Sequence, residues 1–380
     1  GRRANAPLGT IRAVAQTPPL AVTWPGPAGD RVAICMAAYN PPAPLLERQL
    51  QSIRGQTHSN WLCVISDDCS SPAAFAALQA AVGDDSRFIL DRAPRRLGHY
   101  RNFGRALSLA PARADFIALS DQDDVWHPDK LATLRAALAA NPRAILAYSD
   151  MRLVEHDGTL LRDTLWRGRR NNYDNLASMV VANTITGAAT LFRRELLELL
   201  LPFPDTPGYQ FHDHWLGIAA LAAGEIAYVD RPLYDYVQHP GAVFGDVTHG
   251  RPRGRERTPG RARAAYFHGY LAREAQAATV LARAGERLDP RKRRALERFI
   301  ACDSSPAALA WLAVRPARAL AGRTETLASE SELAYGVLWK QLATAARGTA
   351  LERLGPFADA SVPPPQSFTQ KRLRRWRARI

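Results

Sequence analysis

Cysteine is scarce in this chain of 380 residues, which contains only Cys35, Cys63, Cys69 and Cys302. No two of them form a CxxC pair, so a disulfide framework is not predicted, as is typical of a reducing cytoplasm. No apolar run is long enough to span a bilayer, and the first residues lack the pattern of a signal peptide. Because 47% of the residues are hydrophobic, a sizeable core is predicted in a cytoplasmic protein.

The nucleotide-binding loops with simple signatures are also missing. The chain has neither GxGxxG nor GxxxxGK[ST], so neither a Rossmann dinucleotide site nor a P-loop is predicted. Helix-turn-helix, zinc-finger and RRM signatures are absent too, which disfavours nucleic acid as a partner despite the net charge of +14. The basic excess lies mainly in residues 251–300, with 14 basic and 5 acidic side chains, and in residues 371–380.

Short apolar runs alternate with helical patterns between residues 31 and 240. The first strand is predicted at 31–38, and Leu46, Leu50 and Ile53 then recur at helical spacing. Further strands are predicted at 61–66, 88–90, 115–120, 144–149, 186–192, 226–229 and 233–239. Further helices are predicted at 73–82, 98–109, 128–140, 194–200 and 211–223. This β-α-β alternation predicts an α/β fold, a doubly wound and mostly parallel sheet with helices on both faces.

The composition divides the chain into three parts. Residues 1–30 are rich in Pro, Gly and Ala without a period, which predicts an N-terminal arm or linker. Residues 31–249 carry the alternation and form the predicted α/β domain. In residues 250–380 the alternation stops, and Ala- and Arg-rich segments broken by proline predict a basic, mostly helical C-terminal region.

One stretch concentrates the chemistry, because the apolar run 116–119 stops at Ser120 and three carboxylates follow within four residues. In open α/β sheets, the carboxyl end of a strand is where ligands bind. Carboxylates are hard oxygen ligands for Mg²⁺ or Mn²⁺, which complete their shell with substrate phosphates. The alternative is a solvated turn that caps the next helix, a task for which Asp129 is better placed. Asp67 and Asp68 follow a second strand, so the two acidic turns together predict a nucleotide and metal site along one sheet edge.

Five motifs together resemble those of the family 2 glycosyltransferases, closest to the bacterial rhamnosyltransferase-like branch. The resemblance covers about residues 31–245. The motifs are Tyr39-Asn40-Pro41, Asp67-Asp68-Cys69-Ser70, Ser120-Asp121-Gln122-Asp123-Asp124-Val125-Trp126, His212-Asp213-His214-Trp215 and Tyr236-Val237-Gln238-His239. It implies a GT-A fold, a dTDP- or UDP-linked sugar donor, a divalent metal (Mg or Mn), and inverting transfer of rhamnose or a hexose. The implied acceptor is a glycan or a lipid-linked molecule in cell-surface polysaccharide synthesis.

The resemblance also implies a role for individual residues. Asp123 is the first metal ligand, Asp121 faces ribose or metal, and His239 lies near the diphosphate or metal. Asp213 is the implied general base, at a predicted helix N-terminus where a carboxylate is also a good dipole partner. The implied donor-contacting residues are Tyr39, Asn40, Asp67, Asp68, Arg101 and Asn102. An Asx-turn is the alternative for Asp67 and Asp68, and a solvated helix start is the alternative for Arg101 and Asn102.

Two positions depart from the family pattern. Cys69 stands where relatives often have Gly, which leaves open which of Asp67 and Asp68 meets the base. Val237 stands where relatives often have Arg, so a phosphate-binding cation is expected from elsewhere, such as Arg231 or residues 251–263.

Two other functions and one membrane contact remain open at this stage. A nucleotidyltransferase would need a Gly- and Lys/Arg-rich loop after the first strand, where this chain has Tyr39-Asn40-Pro41-Pro42. A non-catalytic nucleotide-sugar-binding domain is the other alternative. In the tail, Leu373, Trp376 and Ile380 share a helical face among six cations, which suits peripheral contact with the inner face of an anionic cell membrane. The alternatives for the tail are a disordered basic end and a short helix packed on the catalytic domain.

Overall fold

The computed structural model describes residues 22–166, 171, 173–206, 211–239, 259–320 and 327–347. The strands are β1 (Val32–Ala38), β2 (Trp61–Asp67), β3 (Phe88–Arg92), β4 (Phe116–Ser120), β5 (Val125–Trp126), β6 (Ala144–Glu155), β7 (Leu160–Arg162), β8 (Thr190–Arg193) and β9 (Glu225–Gln238). The helices up to β9 are α1 (Ala43–Arg54), α2 (Pro72–Val82), α3 (His99–Ser108), α4 (Lys130–Ala140), α5 (Leu176–Val181), α6 (Leu197–Leu200) and α7 (His212–Ala223). After β9 come α8 (Pro259–Ala264), a π-helical segment (Ala265–Tyr270), α9 (Leu271–Ala284), α10 (Pro290–Ile300), α11 (Pro306–Leu320) and α12 (Leu327–Arg347).

The strands form one mixed sheet in the order β3-β2-β1-β4-β8-β6-β9-β5, with β7 added to β6. The pairs β3-β2, β2-β1, β1-β4 and β6-β9 are parallel, whereas β8 is antiparallel to both β4 and β6. Six strands therefore point the same way, and the predicted alternation of mostly parallel strands with helices is confirmed. The parallel strands β1 and β2 are buried on both faces, which explains their uninterrupted apolar sequences.

Local signals set most helix boundaries. Pro42 stops the chain after β1 and opens α1, whose residues Leu46, Leu50 and Ile53 are buried as their spacing predicts. Ser71 caps α2 by accepting a hydrogen bond from the backbone N–H of Ala74. The sequence prediction was wrong about Asp129, because its side chain caps no helix N–H and instead binds Arg231, 2.6 Å from Oδ2.

The second half of the sheet differs most from the sequence prediction. The predicted strand at 186–192 begins only at Thr190, because Gly187–Ala189 forms a 3-10 turn. The predicted strands 226–229 and 233–239 are one long strand, β9. One of the shifts in its register with β6 falls just before Pro232. The short elements β5, β7 and α5 are absent from the prediction, since two- to six-residue elements carry too few residues to show a period.

The C-terminal helices share the core of the α/β domain. The buried cluster centred on β1, β2, β4, β6 and α7 continues into Tyr270, Leu296, Phe299 and Leu312. Gly336 of α12 allows close packing on the π-helical segment, since a Cβ there would lie 2.6 Å from the backbone nitrogen of Tyr266. No described helix combines the length and the apolar character needed to cross a membrane. Residues 1–21 and the basic tail lie outside the described part.

Candidate active site

Three turns meet at one edge of the sheet because the strands before them are parallel and in register. Ala38 at the end of β1 pairs with Asp67 at the end of β2, and Met36 pairs with Ser120 at the end of β4. The turns that follow these strands therefore lie side by side, at the carboxyl edge where ligands bind in open α/β sheets. We call them the first turn (39–42), the second turn (68–71) and the acidic turn (121–124).

Asn40 joins the first turn to the second. Its backbone N–H donates to Ser70 Oγ at 2.8 Å, and its side-chain Oδ1 accepts from the backbone N–H of Ser71 at 2.9 Å. Its φ of 41° lies in the left-handed region, which asparagine tolerates better than most residues. The side-chain amide of Asn40 therefore bonds to the second turn, and its contact with the donor stays a prediction.

Gln122 joins the first turn to the acidic turn and was not assigned a role from the sequence. Its Oε1 accepts from the backbone N–H of Tyr39 at 2.8 Å, and its Nε2 donates to the Tyr39 carbonyl at 3.3 Å. This two-point bond resembles a strand pairing made by a side chain. The glutamine between the carboxylates of the acidic turn therefore fixes where those carboxylates stand.

The carboxylates of Asp67, at the end of β2, and of Asp68, in the second turn, both accept hydrogen bonds from within the protein. Asp67 accepts from the backbone N–H and the hydroxyl of Ser70, which is the Asx-turn alternative. Asp68 accepts from the backbone N–H groups of Leu97 at 2.5 Å and Gly98 at 2.9 Å, and burial raises its pKa against these bonds. Cys69 has a φ of 58°, which explains why a glycine suits this position.

Arg96 is a site residue that the sequence analysis missed. Its guanidinium lies 3.6 Å from the centroid of the Tyr39 ring, and its Nη1 donates to the Tyr39 hydroxyl at 2.8 Å. Its Nε is 4.0 Å from an Asp68 oxygen. Arg96 thus brings a cation to the first and second turns; the arginine-rich run 92–101 was the available signal. Arg231, suggested as a substitute phosphate-binding cation, forms an exposed ion pair with Asp129, and that role stays a prediction.

Arg101 and Asn102 point in different directions from the first turn of α3. Arg101 is exposed, and its Nη2 lies 2.9 Å from Asp205. Asn102 is buried and binds the Ser66 hydroxyl and carbonyl as well as the Ala38 carbonyl, so its amide ties β1 to β2. The role of both residues as donor contacts stays a prediction.

The acidic turn is partly enclosed, and its carboxylates affect one another. Burial, with the charges of Asp123 and Asp213, raises the pKa of Asp121 to about 7. Asp124 is almost fully buried, which raises its pKa, and its Oδ1 accepts from the backbone N–H of Val237 at 3.3 Å. Asp123 Oδ2 lies 2.9 Å from His239 Nε2. The turn therefore presents Asp121 and Asp123 and keeps Asp124 inside.

Of the three predicted metal ligands, only Asp123 and His239 lie within contact distance of each other. Within the described ranges, no three His, Cys, Asp or Glu side chains converge as a metal centre, so Asp121 does not complete a set with Asp123 and His239. The pair offers one carboxylate oxygen and one imidazole nitrogen. Because Mg²⁺ is commonly held by one or two carboxylates plus substrate phosphates, this pair fits a metal bound together with a diphosphate.

Lys130, the first residue of α4, lies completely buried beneath the acidic turn. Its Nζ is 3.4 Å from the centroid of the Trp126 ring and donates to the Ala188 carbonyl. Burial lowers its pKa well below the usual range, with the charges of Asp124 and Asp121 acting in the opposite direction. The sequence analysis missed this residue, although only four of the 50 basic residues are lysine.

Asp213 reaches the same space from the first turn of α7. Its Oδ1 accepts from the backbone N–H of His214 at 2.7 Å, and burial raises its pKa to about 7. The charge of Asp213 is one of the causes that raise the pKa of Asp121. His212 stacks on Phe103 with centroids 3.7 Å apart, and burial lowers its pKa, so a neutral imidazole precedes Asp213.

His99, at the start of α3, is a further residue that the sequence analysis passed over. Its ring lies 5.0 Å from that of His212. Burial lowers the pKa of His99 to about 4, with the charge of Asp123 acting in the opposite direction. A neutral His99 therefore lies between the acidic turn and α7, and no motif in the sequence marked it.

Comparison with known proteins identifies the part of the chain that carries these turns. Residues 33–201 match the family model described as glycosyl transferase family 2. The succinoglycan biosynthesis protein ExoO of Rhizobium meliloti is 37% identical over 143 residues, 36% of this chain and 38% of that protein. TuaG of Bacillus subtilis, provisionally named a teichuronic acid biosynthesis glycosyltransferase, is 27% identical over 160 residues, 42% of this chain and 60% of that protein.

The fold is also found among solved structures. The crystal structure of Staphylococcus aureus TarS residues 1–349 with UDP-GlcNAc superposes with a TM-score of 0.50 at 13% identity. It covers 83% of this chain and 92% of that one. The predicted GT-A-type fold with a helical C-terminal region is therefore confirmed. The chain spans between 14% and 62% of the length of the curated relatives that it matches.

Proposed function

We propose that this chain is an inverting, metal-dependent glycosyltransferase. It moves rhamnose or a hexose from a dTDP- or UDP-linked donor to a glycan or lipid-linked acceptor in cell-surface polysaccharide synthesis. The observation that carries the proposal is the pair of Asp123 and His239, whose Oδ2 and Nε2 lie 2.9 Å apart at the carboxyl edge of the sheet. The names of the relatives that build succinoglycan and teichuronic acid support the polysaccharide context.

Asp213 has the properties of a general base for this reaction. In an inverting transfer, the acceptor oxygen bonds to the anomeric carbon as the bond from that carbon to the diphosphate oxygen breaks. Asp213 takes the proton of the acceptor hydroxyl, and a raised pKa makes it a better proton acceptor at neutral pH. Its Oδ1 accepts from the N–H of His214, and we propose that the carboxylate also faces the acceptor hydroxyl.

Other carboxylates near β9 are poorly suited to the role of base. Asp235 lies 2.6 Å from Arg152 and 2.9 Å from His127; although burial acts against it, these bonds lower its pKa. Glu225 pairs with Arg143 at 3.0 Å and starts β9, at the sheet edge away from the acidic turn. Asp213 is therefore the base that we propose.

The acidic turn would hold the diphosphate end of the donor. A divalent metal ion, when bound, supplies Lewis-acid neutralisation of the leaving diphosphate, and Asp123 and His239 would hold it with Asp121 beside them. The nucleoside end falls to the first and second turns. The donor-contacting set that we propose is Tyr39, Asn40, Asp67, Asp68, Arg101 and Asn102, with Arg96 added from the structure.

A donor screen with the full chain tests the proposal. UDP-, GDP- and dTDP-linked sugars are incubated with and without Mn²⁺ or Mg²⁺, and released nucleoside diphosphate is measured. Metal-dependent release that stops in Asp213→Asn and continues in Asp235→Asn supports the proposed function. A nucleotidyltransferase would release pyrophosphate from nucleoside triphosphates instead, and a binding domain would release nothing while its melting temperature still rises with a nucleotide.

A further inference from the structure

Cations of the C-terminal helical region donate to backbone carbonyls of the α/β domain. Arg273 Nε donates to the Val181 carbonyl, Arg283 donates to the Leu199 and Pro202 carbonyls, and Lys292 Nζ donates to the Gly224 carbonyl, at 2.6–2.9 Å. Each accepting group lies beside α7 or at its C-terminal end. The basic excess of residues 251–300 is thus used in part to hold the helix that carries Asp213.

The catalytic end of α7 depends on α5. His214 Nε2 donates to the Met179 carbonyl of α5 at 2.7 Å, and burial lowers the pKa of His214 to about 3, so the imidazole is neutral. The backbone N–H of the same His214 holds Asp213 Oδ1. Gly217 lets the two helices approach, because a Cβ there would lie 2.9 Å from Met179 Sδ. The position of α5 therefore sets the position of the Asp213 carboxylate.

α5 is itself held from the C-terminal region on both sides of Met179. Arg315 of α11 donates through Nη2 to the Ser178 hydroxyl at 2.8 Å and through Nε to Glu330 of α12 at 2.7 Å. Arg315 and Glu330 are only 9% and 2% exposed. Burying an ion pair is costly unless its geometry is good, and a bridging pair of this kind can specify one arrangement rather than add stability.

We propose that Arg315, oriented by Glu330, is a positioning residue for Asp213 that acts through Ser178 and the Met179–His214 bond. The helical region 259–347 then completes the active site. This inference rests on the proposed function, because it takes Asp213 as the base. A displacement of about 1 Å at a reacting group can cost on the order of 10²-fold in rate. Loss of one hydrogen bond along the path from Arg315 to Asp213 is therefore expected to lower the rate measurably.

The test uses full-length Ser178→Ala and Arg315→Lys variants and their combination. Ser178→Ala removes only the bridging hydroxyl, since the backbone N–H of residue 178 still caps α5 through Asn175. Arg315→Lys keeps the charge next to Glu330 but has one nitrogen for two partners. We expect each variant to lower kcat for nucleoside diphosphate release by about tenfold, with the donor KM within about twofold, and the double variant to be no worse than either.

The matched control is Asp303→Asn, which alters a partly exposed ion pair with Lys340 inside the C-terminal region. It is expected to lower the melting temperature and leave kcat unchanged. The second readout is the ¹⁵N spectrum of the His214 imidazole, whose Nε2–H signal should shift in Ser178→Ala and not in Asp303→Asn. An unchanged kcat and signal in Ser178→Ala, or an equal kcat loss in Asp303→Asn, would overturn the inference while Asp213→Asn stays inactive. Wild-type release by Asp213→Asn would instead overturn the proposed base and this inference together.

Discussion

His239 Nε2 lies 2.9 Å from Asp123 Oδ2, although 116 residues separate the two in sequence. The long strand β9 delivers the histidine to the carboxyl edge of the sheet, where β4 delivers the acidic turn. His239 is close to fully buried and Asp123 is 20% exposed, so the pair is open on one side only. We propose that Asp123 and His239 hold a metal-bound diphosphate, and the first prediction follows from this proposal.

Asp123→Ala should abolish metal-dependent binding of UDP and dTDP and leave the fold intact. The substitution removes the carboxylate from the pair with His239 and touches no residue of the sheet core. Isothermal titration with and without Mn²⁺ measures the effect, and Asp230→Ala, on the exposed part of β9, is the control. Unchanged affinity of Asp123→Ala in Mn²⁺ would refute the metal assignment.

Asp213→Asn should keep donor binding and lower sugar transfer by about 10²–10⁴-fold, the usual cost of losing a general base. The amide cannot accept the acceptor proton, but it preserves the shape of the side chain. Asp235→Asn is the matched control, since Asp235 is also partly buried and is held by Arg152 and His127. Near wild-type transfer by Asp213→Asn would move the base elsewhere.

The pKa of Asp213 predicts opposite effects of pH on activity and on stability. Burial raises this pKa from 3.8 to about 7, so the base is ionised, and kcat/KM is high, only above pH about 7. Between pH 3.8 and about pH 7, Asp213 keeps its proton in the folded protein and loses it in the unfolded protein. The free energy of unfolding therefore falls as the pH rises through this range. Asp213→Asn should therefore melt at least about 2 °C above the wild type at pH 8, with no difference at pH 4. Equal melting temperatures at pH 8 would contradict the raised pKa.

Cys69 should tolerate glycine and reject valine. At φ 58° a side chain costs roughly 1–2 kcal/mol, which glycine avoids, while the extra freedom of glycine in the unfolded chain costs about 0.5–1 kcal/mol. The free energy of unfolding of Cys69→Gly should thus stay within about 1 kcal/mol of the wild type, whereas Cys69→Val should lose more. Urea denaturation of the two variants checks this, and equal stabilities would argue against a left-handed turn.

Removal of residues 366–380 should weaken binding to anionic vesicles. The segment carries six cations with Leu373, Trp376 and Ile380 at helical spacing, and each cation near such a surface contributes on the order of 1 kcal/mol. Co-sedimentation with phosphatidylglycerol vesicles, at low and high salt, compares the full and shortened chains. Equal binding by both chains would show that the tail does not contribute to membrane binding. Binding that is insensitive to salt would show that the contribution is not electrostatic.

The sequence alone determined the order of the main strands and helices and the ends of β1, β2 and β4. These features are local signals: apolar runs, and the prolines and carboxylates at which the runs end. They can be recognised in the sequence without knowledge of the fold. The same signals marked Asp67, Asp121 and Asp123 as candidate site residues, and the resemblance to family 2 glycosyltransferases added Asp213. They could not separate an acid that faces the site from one that holds a turn.

Tertiary structure alone decided how these residues are used. The pairing of Asp123 with His239 and the burial of Lys130 depend on strand register and on the direction of side chains. Asn40 and Gln122 form hydrogen bonds between turns only because parallel strand pairing places those turns side by side. The arginines of the C-terminal helices acquired carbonyl partners in the same way. Contacts between residues a hundred positions apart arise from packing of whole elements, and no local period records them.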